Sequence, residues 1–149
     1  FEHKIKRVLC AEKLDNSITQ KLGIGRIGGR IEDTFNNALK VGKKNGFWDI
    51  KSDFVYLNDQ VVDFYRKRHS LPEKQKQIEW IAPEEIQLVL TTTLAQAVTI
   101  SKEELFKYVL SELNGGIRLT EGIYGVIDKE FKKLLSIGKI KIENEIVKM

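Results

Sequence analysis

One stretch of this chain occurs twice. At a shift of 96 residues, Ile27, Gly29, Ile31, Phe35, Leu39, Gly42 and Lys43 meet the identical residues Ile123, Gly125, Ile127, Phe131, Leu135, Gly138 and Lys139. The segments that follow also agree if the first copy carries a four-residue insertion. Trp48 to Leu57 then lies over Ile140 to Met149, apolar position on apolar position. A repeated unit buries its own apolar face or stacks on its neighbour. The 149 residues are therefore expected to form two small modules, each near the lower size at which a chain buries a viable core.

The second copy is the easier to read. Pro83 suits the first position of a helix, and Glu84 and Glu85 suit its positive end. Ile86, Leu90, Leu94 and Ala97 mark one face, and Val98-Thr99-Ile100 is a short extended piece. Ser101 and Glu104 form a capping box that opens a second helix, with Leu105, Val109 and Leu113 facing inward. Asn114-Gly115-Gly116 stops that helix, and Thr120 caps a third. The third helix carries Ile123, Ile127, Phe131, Leu134 and Leu135 on one side and ends at Gly138. Ile140/Ile142 and Val147/Met149 then alternate as a hairpin turning at Glu143-Asn144.

Helix, short strand, helix, helix, hairpin is the order of a winged helix-turn-helix. In the first copy only the third helix, about residues 26–41, and the hairpin, about residues 47–57, are legible. The expected fold is mainly α with small β-hairpin wings (α+β), as two winged helix-turn-helix modules in tandem. The first spans 1–59, with a truncated or degenerate start, a helical basic connector spans 60–80, and the second module spans 81–149.

Composition excludes most chemistry. Apolar residues at 42% and charged residues at 31% suit a packed, soluble chain. No run of 18 apolar residues marks a membrane span, and no leader-like apolar segment opens the chain. A single cysteine, Cys10, fits a reducing cytoplasmic setting, and two histidines are too few for a histidine-based metal centre. Gly23-Ile24-Gly25-Arg26-Ile27-Gly28 has dinucleotide-loop spacing, but the polar residues before it make no buried strand. No phosphate-binding Gly-Lys-Ser/Thr loop occurs. The chain reads as a non-enzymatic piece of a longer protein, beginning at Phe1 rather than Met, with neither metal nor cofactor.

The net charge of +4 is unevenly spread. Residues 1–59 hold 11 basic and 8 acidic side chains, residues 60–80 hold 5 and 3, and residues 81–149 hold 9 and 10. In a winged helix that binds DNA, the third helix enters the major groove and the hairpin touches phosphates. The candidate nucleic-acid residues are Arg26, Arg30 and Lys40 on the first third helix, Lys43 and Lys44 toward its wing, and Arg66, Lys67 and Arg68 in the connector. Glu32 and Asp33 on the same helix oppose phosphate, so an ordinary solvated face is the competing reading. For the connector it is a set of cations beside a negative helix end. Trp48, Phe54, Tyr56 and Trp80 either stack on bases or seal small cores.

Residues from about 25 to 149 resemble the C-terminal region of large bacterial superfamily I helicase-like proteins, where a small domain of unknown function recurs. The elements that carry the resemblance are Phe54-Val55-Tyr56-Leu57, Tyr65-Arg66-Lys67-Arg68, Ile81-Ala82-Pro83-Glu84-Glu85-Ile86, Thr99-Ile100-Ser101-Lys102-Glu103-Glu104-Leu105 and the final Ile123 to Met149 stretch. It departs at Asn114-Gly115-Gly116, where the pattern has a Leu-Gly-aromatic turn before a basic residue. The resemblance implies an accessory region beside an ATP-driven motor, binding duplex or forked DNA. Its partners would be DNA and the motor domains of the parent chain. The alternative is a protein-docking module within the same large protein.

Overall fold

The computed structural model describes residues 9–10, 18, 20–21, 23, 28–116 and 118–149. The fold is α+β, in two compact units, Phe1–Val62 and Asp63–Met149. In the first, β1 (Leu9–Cys10) is followed by helical residues at Ile18, Gln20 and Lys21, then α1 (Gly29–Lys44), β2 (Trp48–Lys51) and β3 (Phe54–Leu57). In the second, two 3-10 turns (Glu73–Gln75 and Ile78–Trp80) precede α2 (Pro83–Gln96), β4 (Ile100–Ser101), α3 (Lys102–Asn114), α4 (Glu121–Ser136), β5 (Lys141–Glu143) and β6 (Ile146–Lys148). Among the described residues no helix is long and apolar enough to cross a membrane.

Each unit closes a three-stranded antiparallel sheet in the same way. A two-residue strand ahead of the last helices pairs with the final strand of the hairpin, giving the orders β1-β3-β2 and β4-β6-β5. Leu9 pairs with Val55 and Ile100 with Val147, while Ile50 pairs with Val55 and Ile142 with Val147. Both hairpins turn on two residues at positive φ, Ser52 (45°) with Asp53 (66°) and Asn144 (50°) with Glu145 (66°). Two successive positive φ values suit the right-handed twist of the flanking strands. The second turn falls one residue later than expected, because neither hairpin carries the glycine that usually marks this turn.

The local signals of the second unit are realised. Pro83 opens α2, and Ser101 and Glu104 form a reciprocal capping box on α3. Gly115 closes α3 in the left-handed region at φ 86°, and the Thr120 side chain accepts a hydrogen bond from the Ile123 N–H. The core joins Ile86, Val89, Leu90 and Leu94 of α2 to Leu105, Phe106, Val109 and Leu110 of α3 and Ile127, Phe131 and Leu134 of α4, with Ile140 and Val147 beneath. Phe106 meets Phe131 edge-on at 5.4 Å between ring centroids, a favoured aromatic geometry.

The structure corrects the register of the repeat. The helices Gly29–Lys44 and Glu121–Ser136 are both 16 residues long and are related by 92, not 96. Gly46 and Gly138, at φ 75° and 72°, end them identically. Gly46 N–H donates to Lys43 O and Phe47 N–H to Gly42 O, and Gly138 N–H donates to Leu135 O and Lys139 N–H to Leu134 O. The hairpins and their turns keep the same shift, so no four-residue insertion exists. The match at 96 is displaced by about one helical turn: four residues rotate a helix by only about 40°, so an apolar stripe still falls on an apolar stripe.

At the true register Gly42 corresponds to Leu134 and Trp48 to Ile140. A Cβ placed on Gly42 would overlap the Trp48 indole, whose Nε1–H donates to Leu39 O at 2.9 Å. One unit fills the space with a glycine and a tryptophan, the other with a leucine and an isoleucine that are both 1% exposed. Gly42→Leu is expected to overpack the first unit and cost about 1–3 kcal/mol. Adding Trp48→Ile should recover part of that loss, with denaturant midpoints placing the double variant above the Gly42→Leu single variant.

Candidate nucleic-acid interface

Helix α1 buries Leu39 and Gly42 and half-buries Ile31 and Phe35, which lie within about 80° of arc. The opposite ridge runs Arg30, Asp33, Asn37, Lys40 and Lys44, spaced three, four, three and four residues apart and exposed throughout. Thr34 and Val41 flank it, Val41 being 57% exposed. From Arg30 to Lys44 the ridge extends about 21 Å. Arg30, Lys40 and Lys44 make no ion pair with another described residue. Lys43 lies off the ridge and binds Asp49 at 3.2 Å, which lowers the Asp49 carboxyl first through this contact and then through the Ile50 N–H. Arg26 lies outside the described residues.

The connector is corrected in two respects. Residues 61–68 are not helical, and everything from Asp63 onward belongs to the second unit. Backbone donors that a helix would use internally go elsewhere: Arg66 N–H donates to Glu85 Oε2 at 2.9 Å and Arg68 N–H to Leu113 O at 2.8 Å. Pro72 lies just before the first 3-10 turn and has no N–H to continue a helix.

The Arg66 and Arg68 guanidiniums converge on one buried carboxylate. Arg66 Nη2 lies 2.6 Å from Glu85 Oε1, and Arg68 Nη2 lies 3.1 and 3.0 Å from Oε1 and Oε2. Arg68 Nη1 also donates to Arg66 O at 2.7 Å. The Glu85 side chain is 4% exposed and that of Arg68 is 6%. Arg68 therefore does not present its charge to a phosphate, and the geometry of Arg66 serves Glu85. Lys67 lies on the surface and binds Glu112 at 2.9 Å. This contact is the main cause that lowers the Glu112 carboxyl, opposed by burial. His69 Nε2 bonds Glu112 O at 2.9 Å. Lys67 and His69 thus sit against the negative C-terminal end of α3.

Helix α4 differs in charge arrangement from α1. Lys132 binds Asp128 at 2.7 Å and Lys133 binds the buried Glu130 at 2.7 Å; of its three lysines, Lys129 alone makes no ion pair with a described residue. Asp128 also binds Lys102 at 2.6 Å. The Lys102 ammonium stands 5.1–5.5 Å from the ring centres of Phe106, Tyr124 and Phe131, a cation–π arrangement. Burial opposes its charge, yet Asp128 and Tyr124 outweigh that and raise its pKa. In the sheet of this unit Lys148 pairs with Glu143 at 2.7 Å.

Sequence reasoning assigned Glu85 only to the helix dipole and missed its role as the buried partner of two arginines. A signal was present: Glu85, Val89 and Thr93 lie four residues apart on one face, and all three are buried. Of the aromatic candidates, Phe54 and Tyr56 are buried at 7% and 5% and belong to the first core. Among the described residues no group of three His, Cys, Asp or Glu is placed to hold a metal ion.

Glu85→Gln removes the buried carboxylate that meets both guanidiniums and should cost about 3–5 kcal/mol in denaturant unfolding. The Asp128 carboxyl gives a pH prediction. Burial raises it, but Lys102 and Lys132 outweigh burial and hold it below its ordinary value. A pKa lower in the folded than in the unfolded state stabilises above the unfolded value, and the contribution fades as pH falls through the folded one. Asp128→Asn should therefore be less stable than the native chain at pH 6 and lose less stability below about pH 4, as followed by unfolding midpoints against pH. Compared with protein-family models, curated proteins and solved structures, the chain matches none.

Proposed function

We propose that the chain is a non-catalytic accessory region of a helicase-like protein, built of two winged-helix modules, and that it binds duplex or forked DNA mainly through the first. The fold reading is supported by what the described parts of both units share: a short strand, a 16-residue helix and a hairpin onto which the strand closes. The observation that carries the binding reading is the α1 ridge. Three cations that pair with no other described residue follow about 21 Å of an exposed helix face, a length over which several phosphates of a duplex come within reach.

Unlike the α1 ridge, the arginines of the connector are committed to Glu85, so the basic surface of this reading is α1 and not α1 plus connector. A second reading, docking onto the motor domains of the parent chain, is favoured by exposed Val41 (57%) and Phe47 (64%) near the end of α1.

Titration of a labelled duplex separates the two. If three phosphates are neutralised, affinity should fall about 40-fold between 50 and 200 mM salt, starting from the micromolar range. Lys40→Ala with Lys44→Ala should weaken binding at low salt and reduce the slope of log K against log salt by about 2. An unchanged slope, or no binding at low salt, removes the DNA reading in favour of docking.

A further inference from the structure

The α1 ridge holds a residue that a purely phosphate-binding surface does not explain. Asp33 stands between Arg30 and Asn37 in the middle of the cationic stripe, exposed and without an ion pair to another described residue. It is too far along α1 for the helix dipole to account for it, since the acidic residue of the first turn is Glu32. It does not cap the helix: Gly28 occupies the N-cap and no side chain bonds there. Arg30, one turn earlier, does not neutralise it. Toward phosphates its charge is a cost that grows as water is excluded.

We propose, resting on the reading that α1 enters the major groove, that this helix reads base pairs and that Asp33 accepts a hydrogen bond from the amino group of a cytosine. Each neighbour on the ridge suits the same groove. Arg30 can donate twice to a guanine edge, Asn37 pairs with an adenine edge, and the Thr34 methyl suits that of thymine. Lys40 and Lys44, at the far end, suit phosphates. A carboxylate among such groups discriminates, because it accepts from cytosine and is repelled by the acceptor atoms of guanine and thymine.

The second unit sharpens the contrast. At the corresponding positions, 92 residues on, Arg30 and Asp33 become Gly122 and Gly125, while Asn37 and Lys40 become Lys129 and Lys132. That helix keeps phosphate-type cations and has no side chain at the two positions where α1 carries Arg and Asp. Base reading is thus assigned to the first unit alone.

The test is repeated selection from a pool of random duplexes with the full chain, followed by affinities for the enriched site and its single base-pair changes. The native chain should enrich a short motif. Asp33→Asn should change the preference at one base pair, lowering discrimination there by about 5- to 100-fold, and Asn37→Ala should relax a neighbouring pair. Binding of all duplexes alike, with the expected salt dependence, would overturn base reading and leave the DNA-binding function standing. A uniform gain of affinity for every duplex in Asp33→Asn would also overturn it, since Asp33 would then be only a repulsive charge. Absence of binding to any duplex at low salt would remove both readings.

Discussion

The second unit depends on a buried charge that cannot be left alone. Glu85 opens α2 inside a stripe of apolar contacts, and a carboxylate there carries a desolvation cost of several kcal/mol. Two guanidiniums meet that cost, and they are delivered by the non-helical strap that precedes the 3-10 turns and α2. Tyr65 OH donates to Glu112 at 3.1 Å, and Asn114 Nδ2 donates to Lys76 O at 2.8 Å, so the strap is tied to α3 on both sides of the arginines. The requirement is mutual: without Glu85 the nearly buried Arg68 would lose the carboxylate that both of its Nη2 contacts reach. A segment that reads as a linker by composition is in this way structural, and it places the boundary between the units at residue 62.

The short strand, the last helix and the hairpin are reached twice with different side chains. Where α4 sets Leu134 against Ile140, α1 leaves a glycine and lets the Trp48 indole fill the space. Cores tolerate such exchanges when the summed volume is conserved. Backbone features are shared more closely than side chains: the hairpin register, the two left-handed residues of each hairpin, and the glycine that ends each helix all recur at 92. The outward positions are under no such constraint, and there the two units diverge most, from Arg30 and Asp33 to Gly122 and Gly125.

How far the sequence was legible follows from what each signal depends on. Pro83, the Ser101/Glu104 box, Thr120 and Gly138 are local devices whose geometry needs only a few neighbouring residues, and the structure realises them as expected. Register over a helix is harder, because an apolar stripe nearly repeats every turn and identical residues can align one turn away from their structural equivalents. The hairpin, whose turn has no such periodicity, and the glycine that ends each helix distinguish 92 from 96. The connector misled for another reason. Arg66, Lys67 and Arg68 look alike as a basic run, and only Glu85 and Glu112, 19 and 45 residues further on, decide which charges are consumed. Long-range ion pairing leaves no trace in local composition. For the α1 ridge, spacing alone predicts a shared face for Arg30 and Lys40, whereas the absence of partners required the fold.

Charge is accordingly a better guide after pairing than before it. By count the second unit is slightly richer in cations than in acids, with 14 basic and 13 acidic side chains from residue 63 onward. Its pairs engage Arg66, Lys67, Arg68, Lys102, Lys132, Lys133 and Lys148, which leaves little field for steering a polyanion. The first unit has fewer cations, 11 up to residue 62, but on α1 three of them face outward and pair with no other described residue. Ion pairs at close range cancel each other within a few ångströms, while unpaired charges on one ridge add along it. On the proposed reading, phosphate is drawn less by the longest run of basic residues than by a helix on which basic residues are spaced by turns, and a lone carboxylate among them has a use if bases, not phosphates, lie beneath it.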